Sequence, residues 1–117
     1  MISLGEISEI RSNTSNSQIQ SGSIVLSTKG SIGEANIVND ENIDNFSSSR
    51  WTSIRITKPT ILPEYLLKCL RSEEIQDNLK KMVVGTTIQN VRLIDIGKLQ
   101  IPDETVEEQK KLVQTNL

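Results

Sequence analysis

Apolar residues in the first half of the chain come in short clusters separated by polar loops, a pattern typical of β-strands. Residues 24–28 are largely β-branched and lie between two glycines, which predicts a short buried strand. A tight turn and a return strand over 35–38 should follow. Apolar and polar residues alternate over 51–57, so we predict a further strand there. The opening segment around Leu4 fits either a strand or one helical turn.

The second half of the chain has apolar residues at helical spacing. A helix pair is predicted over 63–83, with Ser72 and the two glutamates after it forming a capped start for the second helix. A short helix and a closing strand are expected over 93–101. Thr105 and Glu108 have the spacing of a capping box that opens a last helix. These elements predict an α+β fold, with a small mixed β-sheet, an inserted helix pair and a C-terminal helix.

Composition narrows the possible functions. A chain of 117 residues has room for one domain with one core. It contains no histidine and one cysteine, Cys69, so neither a Cys–His nor a Ser–His–Asp centre can be built within it. Its formal net charge of −2 argues against a protein that coats nucleic acid regardless of sequence, but it permits a local basic patch. No long apolar run, signal peptide or cofactor loop is present, so we expect a cytoplasmic protein without catalytic activity, cofactor or metal.

One loop stands out chemically. Residues 85–92 place several hydrogen-bonding side chains on a short connection. Gln and Asn can bond bidentately to adenine in the major groove, and Arg can bond to guanine. A plain connection is also polar, so this composition leaves recognition and simple solvation both open.

Several segments, in order, resemble one known family. They are LGEISEI (4–10), SGSIVLSTKGSIGEANIV (21–38), SSSRWTSIRIT (47–57), LPEYLLKCLRSEEIQDNLKKMVVGTT (62–87) and VRLIDIGKLQIPDETVEEQKKLV (91–113). The chain is similar to the target-recognition domains in specificity subunits of type I restriction–modification systems, and to relatives fused to adenine methyltransferases. Ser23 stands where the family pattern has Asp. The positions that fit it are Gly22, Gly30, Gly33, Pro63, Tyr65, Leu70, Gly85, Pro102, Glu108 and Gln109.

The resemblance implies a recognition domain for half of a split DNA site, over residues 1–103, followed by the start of a conserved spacer helix, over 104–117. Partner subunits would supply methyl transfer from S-adenosylmethionine and ATP-driven cleavage. We therefore expect the chain to be a non-catalytic DNA recognition module. The alternatives are a degenerate domain that only docks a methyltransferase and, third, a stand-alone enzyme.

Two sets of contact residues follow from this interpretation. The DNA-facing residues should converge on one face, with the carboxylates elsewhere; they are Lys29, Arg50, Thr86, Thr87, Gln89, Asn90 and Arg92. The partner-binding residues should lie on the last helix; they are Val106, Gln109, Leu112 and Val113, and Leu117 extends their apolar stripe. The expected partners are double-stranded DNA and a methyltransferase subunit, and beyond these a restriction subunit and a second copy of the chain.

Overall fold

Strands and helices lie close to where the sequence pattern predicts them. The computed structural model describes residues 1–114 of the chain. The elements, in order, are β1 (Ile2–Ser3), α1 (Leu4–Ile7), β2 (Ser8–Ser12), β3 (Ile24–Lys29), β4 (Ser31–Ile37), a 3-10 helix (Ile43–Phe46), β5 (Trp51–Ile56), α2 (Pro63–Leu70), α3 (Glu73–Met82), α4 (Leu93–Gly97), β6 (Gln100–Ile101) and α5 (Val106–Gln114). The α+β class is confirmed. The opening segment contains both alternatives, a helical turn between two strands.

The larger sheet has the strand order β2-β5-β3-β4, and each neighbouring pair is antiparallel. The smaller sheet pairs β1 with β6, also antiparallel. The structure therefore replaces the predicted mixed sheet with two antiparallel ones. Local connectivity accounts for one of the pairs, because β3 turns directly into β4 and so must run against it.

A β-bulge interrupts the pairing of β3 with β4 between Leu26 and Thr28. Ser27 Oγ accepts a hydrogen bond of 2.8 Å from Glu34 N, which pairs a backbone group beside the irregularity. Opposite this point, Gln76 Nε2 donates to Gly33 O at 2.9 Å. Gly33 has φ +104°, and a Cβ there would overlap the Gln76 side chain, so α3 lies directly on the bulged strand.

The helix pair α2–α3 covers one face of the larger sheet. Ile75 N donates to Ser72 Oγ at 3.3 Å, which confirms the predicted N-cap of α3. Arg71 Nε and Nη2 both donate to Ala35 O, at 3.1 and 2.8 Å. Together with Gln76, Arg71 fixes the helix pair to strand β4.

The core has two parts. The main cluster joins the inner face of the sheet to the helices and includes Ile24, Leu26, Ile54, Leu66 and Leu79. The smaller cluster lies on the outer face, where Trp51 and Phe46 meet edge to face with ring centroids 4.8 Å apart. Trp51 is thus a core residue, 6% exposed. Within residues 1–114, no helix is long and apolar enough to span a membrane.

Candidate nucleic-acid interface

The loop between α3 and α4 is closed at its base by backbone pairing. Val84 N donates to Asn90 O at 2.8 Å, and Asn90 N donates to Val84 O at 2.9 Å. Gly85 has φ +95°, and a Cβ there would overlap the carbonyl oxygen of Ile88, so glycine is needed at this position. Residues 85–89 are all exposed. The polar side chains of this segment, Thr86, Thr87 and Gln89, therefore project from a fixed backbone.

The turn at Lys29 lies directly against this loop. Gly30 N donates to Gln89 O at 2.8 Å, and Lys29 pairs with Asn90 in an antiparallel bridge. A hollow of about 300 Å³ is lined in part by Lys29, Asn90 and Arg92. The structure thus brings the predicted cationic turn and the predicted polar loop together on one face. We call this surface, residues 85–92 with Lys29, the loop face.

Arg92 borders the same hollow but is ion-paired. Its Nε and Nη2 atoms each lie 2.9 Å from Asp95 Oδ2, and Lys98 Nζ lies 3.9 Å from Asp95 Oδ1. The expectation that carboxylates would lie away from this face is therefore wrong. Asp95 sits in the first turn of α4, where the helix dipole favours an acid, and this brings it beside Arg92.

Arg50 adjoins the loop face through its backbone, because Thr28 N donates to Arg50 O at 2.9 Å. Its side chain points to Glu34, with 2.9 Å between Nη2 and Oε2, and its guanidinium carbon lies 4.9 Å from the Trp51 ring centroid. Both partners of this ion pair are substantially exposed. Because exposed pairs contribute only about 0–1 kcal/mol, the ion pair with Glu34 holds the Arg50 side chain only weakly.

Three exposed apolar side chains accompany the polar ones. Ile88 is 59% exposed at the loop tip, Ile94 is 65% exposed on α4, and Leu93 lies beside the hollow. Sequence reasoning did not single out Leu93 and Ile94, because short apolar runs usually belong to the core. It also missed Ser12, which lines the hollow only because β2 ends there.

Gln109 has a structural role that the sequence analysis did not predict. Its side chain is fully buried. Its Oε1 accepts from Leu62 N at 2.9 Å, and its Nε2 donates to Thr60 O at 2.7 Å and to Glu104 O at 3.0 Å. The predicted partner contact by Gln109 is therefore corrected, because its amide is already used within the chain to join α5 to the start of α2.

The other predicted partner residues retain some surface. Leu112 is 38% exposed, whereas Val106 and Val113 are half-buried, and Val113 packs against the main core. Leu117 lies outside the described residues. The apolar stripe of α5 is thus partly used within the chain and partly open.

Reactive groups are few in the part of the chain that the structure describes. No group of three or more His, Cys, Asp or Glu side chains suited to a metal occurs there. Burial raises the pKa of the half-buried Cys69 thiol, and burial also raises the pKa of Tyr65. Tyr65 donates to Pro102 O at 2.8 Å, so its hydroxyl holds the segment before α5.

A family model described as the type I restriction modification DNA specificity domain matches residues 2–115. The chain belongs to this family. The resemblance carried by the sequence motifs is thereby confirmed, and a function in DNA specificity follows from membership. Comparison with curated proteins gives no match.

Solved structures resemble this specificity domain in fold. The S subunit of a type I restriction–modification system from M. genitalium matches with a TM-score of 0.76 and 18% identity, covering 97% of this chain and 36% of that one. A chain from a structure of type I R-M complex assembly and conformational transition matches with a TM-score of 0.70 and 17% identity, with the same coverages, 97% and 36%. The domain therefore spans little more than a third of those chains.

Proposed function

We propose that this specificity domain recognises one part of a split DNA site through the loop face and has no catalytic activity of its own. The observation that carries the proposal is the backbone pairing of Lys29 with Asn90. It joins a cationic turn to a loop rich in amide and hydroxyl side chains. Contacts to phosphate fix the orientation of a protein on DNA, and contacts to base edges give sequence preference, so a face that offers both suits this task.

Each side chain has a distinct proposed role. The amides of Gln89 and Asn90 can bond bidentately to adenine, and the guanidinium of Arg92 can bond to guanine once it exchanges Asp95 for the base. Lys29 contacts phosphate, an effect that is independent of sequence. Arg50 does the same after leaving Glu34, while Thr86 and Thr87 contact either bases or phosphate.

Residues 1–103 form the recognition unit in this proposal, and residues 104–117 begin a spacer helix that meets a methyltransferase subunit. The support is the 38% exposure of Leu112 on α5, which also carries the half-buried Val106 and Val113. A second copy of the chain is the other candidate for this surface. A restriction subunit would join the complex that the methyltransferase subunit forms. Methyl transfer would be carried out by the partner.

The test uses the specificity subunit that contains this domain, assembled with its methyltransferase. The methylated motif is mapped first, and affinity is then measured on cognate and non-cognate duplexes. Gln89→Ala and Arg92→Ala should each cost about 1–3 kcal/mol on the cognate duplex and relax the preference for it. Lys29→Ala should weaken binding to both duplexes equally.

Matched controls are exposed side chains of the same type outside the loop face and outside residues 104–117, Gln100→Ala and Lys80→Ala. Both should leave affinity and preference unchanged. If Gln89→Ala, Arg92→Ala and Lys29→Ala all behave like these controls, the loop face does not contact DNA.

A further inference from the structure

A second polar groove lies on the outer face of the larger sheet, away from the helices. It runs between β2 and the loop of residues 13–22. Two adjoining hollows of about 280 and 630 Å³ form it. The side chains that line one or both of them include Arg11, Gln18, Ile19, Gln20, Ser53 and Arg55. Apart from Ile19, these residues are polar, so the groove suits a polar occupant.

The two guanidiniums of the groove differ in their partners. Arg55 stands opposite Glu9 in the pairing of β5 with β2, and its Nη2 lies 2.6 Å from Glu9 Oε2. The hydrogen bond and charge of Arg55, and to a smaller extent the charge of Arg11, lower the pKa of the Glu9 carboxyl, so Glu9 stays ionised and pairs directly with Arg55. Arg11 stands opposite Ser53, and among residues 1–114 no carboxylate oxygen lies within 4.0 Å of its guanidinium. The groove therefore carries one net positive charge, at Arg11.

The backbone around the groove is held in place by buried hydrogen bonds. Asn13 is 2% exposed; its N donates to Trp51 O at 2.9 Å and its Nδ2 donates to Phe46 O at 2.9 Å. Ser53 Oγ donates to Asn13 Oδ1 at 2.7 Å. At the far end of the loop, Gly22 N donates to Val38 O at 2.8 Å. The groove is thus formed before any ligand binds.

The groove and the loop face share an edge. Ser12 lines the larger hollow of the groove and also the hollow between Lys29, Asn90 and Arg92. A single DNA strand that passes the loop face can therefore continue into the groove. A phosphate there would find the guanidinium of Arg11, which forms no direct ion pair within residues 1–114, and neighbouring amide donors from Gln18.

We propose that the groove at Arg11 is a second contact site for the DNA sugar–phosphate backbone, flanking the loop face. This inference rests on the proposed function and adds to it a contact that is independent of base sequence. Arg11 is a cation on a strand rather than on a loop, so its position is set by the sheet register and does not change when the recognition loop changes.

The experiment compares Arg11→Gln, Arg11→Lys and Lys80→Gln in the assembled subunit. Lys80 is an exposed cation on α3, which packs against β4 at the opposite edge of the sheet. Binding to cognate and non-cognate duplexes is measured over a range of salt concentrations. Arg11→Gln should lower both affinities by the same factor, about three- to tenfold, and should reduce the slope of log K against log salt by about 0.9, the value for one phosphate contact. Arg11→Lys should keep the slope, and Lys80→Gln should behave as the parent.

Failure of this inference is distinguishable from failure of the proposed function. If Arg11→Gln leaves the slope unchanged while Gln89→Ala still relaxes the site preference, the groove does not contact DNA. If Arg11→Gln instead weakens methyltransferase assembly without changing the slope, the groove binds protein and the inference is overturned. Loss of site preference without a change in non-cognate affinity would also contradict it, because a phosphate contact acts on every sequence. A complex that binds no DNA at all would overturn the proposed function itself.

Discussion

The buried amide of Gln109 determines how firmly the C-terminal helix is attached, and replacing it tests that attachment directly. Gln109→Leu keeps nearly the same volume but removes all three hydrogen bonds of the side chain, to Leu62 N, Thr60 O and Glu104 O. Thr60 and Glu104 retain solvent exposure, so their carbonyls can bond water instead. Leu62 N, at the N-cap of α2, makes one hydrogen bond within residues 1–114, the one to Gln109 Oε1, and loses it in this variant.

The expected cost follows from these bonds. Each intramolecular hydrogen bond contributes about 0.5–1.5 kcal/mol net, and a buried donor left unpaired costs about 1–3 kcal/mol. Burying the leucine methyl groups returns about 1–2 kcal/mol. We therefore expect Gln109→Leu to lower the free energy of unfolding by about 2–3 kcal/mol, which corresponds to about 10 °C in Tm for a chain of this size.

Urea denaturation followed by circular dichroism measures the effect. The midpoint should fall while the m-value stays constant, since the surface exposed on unfolding is unchanged. Gln114→Leu is the matched control, because Gln114 is an exposed glutamine on the same helix, and it should change stability by less than about 0.5 kcal/mol. A change as small for Gln109→Leu would refute the reasoning, since it would mean that these three bonds contribute no net stability.

Three further predictions concern stability and reactivity. Gly22→Ala should cost about 1–2 kcal/mol, because φ is +93° with open space around the position, whereas Gly85→Ala should cost more in urea denaturation, because a Cβ also overlaps a backbone oxygen there. Thr28→Val should cost about 1–3 kcal/mol by leaving the buried Thr52 hydroxyl without its 2.7 Å partner, and adding Thr52→Val should recover part of that loss; a fully additive double variant would contradict this. Cys69 should react with iodoacetamide at pH 8 more slowly in the folded than in the urea-unfolded chain, because burial raises its thiol pKa, and equal labelling rates would contradict this. The same pKa shift means that the stability of the fold is lost as pH rises through the folded pKa of Cys69.

Local patterns were enough to predict the elements but not their arrangement. The period-two alternation over 51–57 predicted β5, and the capped helical spacing at Ser72 predicted α3. The order β2-β5-β3-β4 depends on which apolar faces pack together, and no short segment encodes that choice. The bulge places Gly33 and Glu34 of β4 opposite Ser27, and a glycine inside a strand pattern was an available signal for it that the sequence analysis did not use.

The candidate site was predictable in its parts only. The polar composition of residues 85–92 could be seen in the sequence, but its pairing with Lys29 joins segments far apart in the chain. The ion pair of Arg92 with Asp95 is local, at a spacing of three residues, and was available as a signal. Gln109 shares the apolar face of α5 with Val106, a position three residues earlier, and was interpreted as surface because buried amides are uncommon.

In the loop face, main-chain hydrogen bonds hold the backbone in place, and the exposed side chains take no part in holding it. The bonds that fix the loop, from Gly30 N to Gln89 O and between Val84 and Asn90, use only main-chain atoms. Among residues 1–114, no side-chain hydrogen bond involves the exposed side chains of the loop, Thr86, Thr87 and Gln89. Replacing those three by alanine together should therefore change the free energy of unfolding by less than about 1 kcal/mol, while abolishing site preference in the assembled subunit. A large loss of stability would show that the side chains support the loop. If stability is retained as expected, it follows for the proposed function that the DNA sequence recognised can change by substitution in the loop without altering the scaffold that presents it.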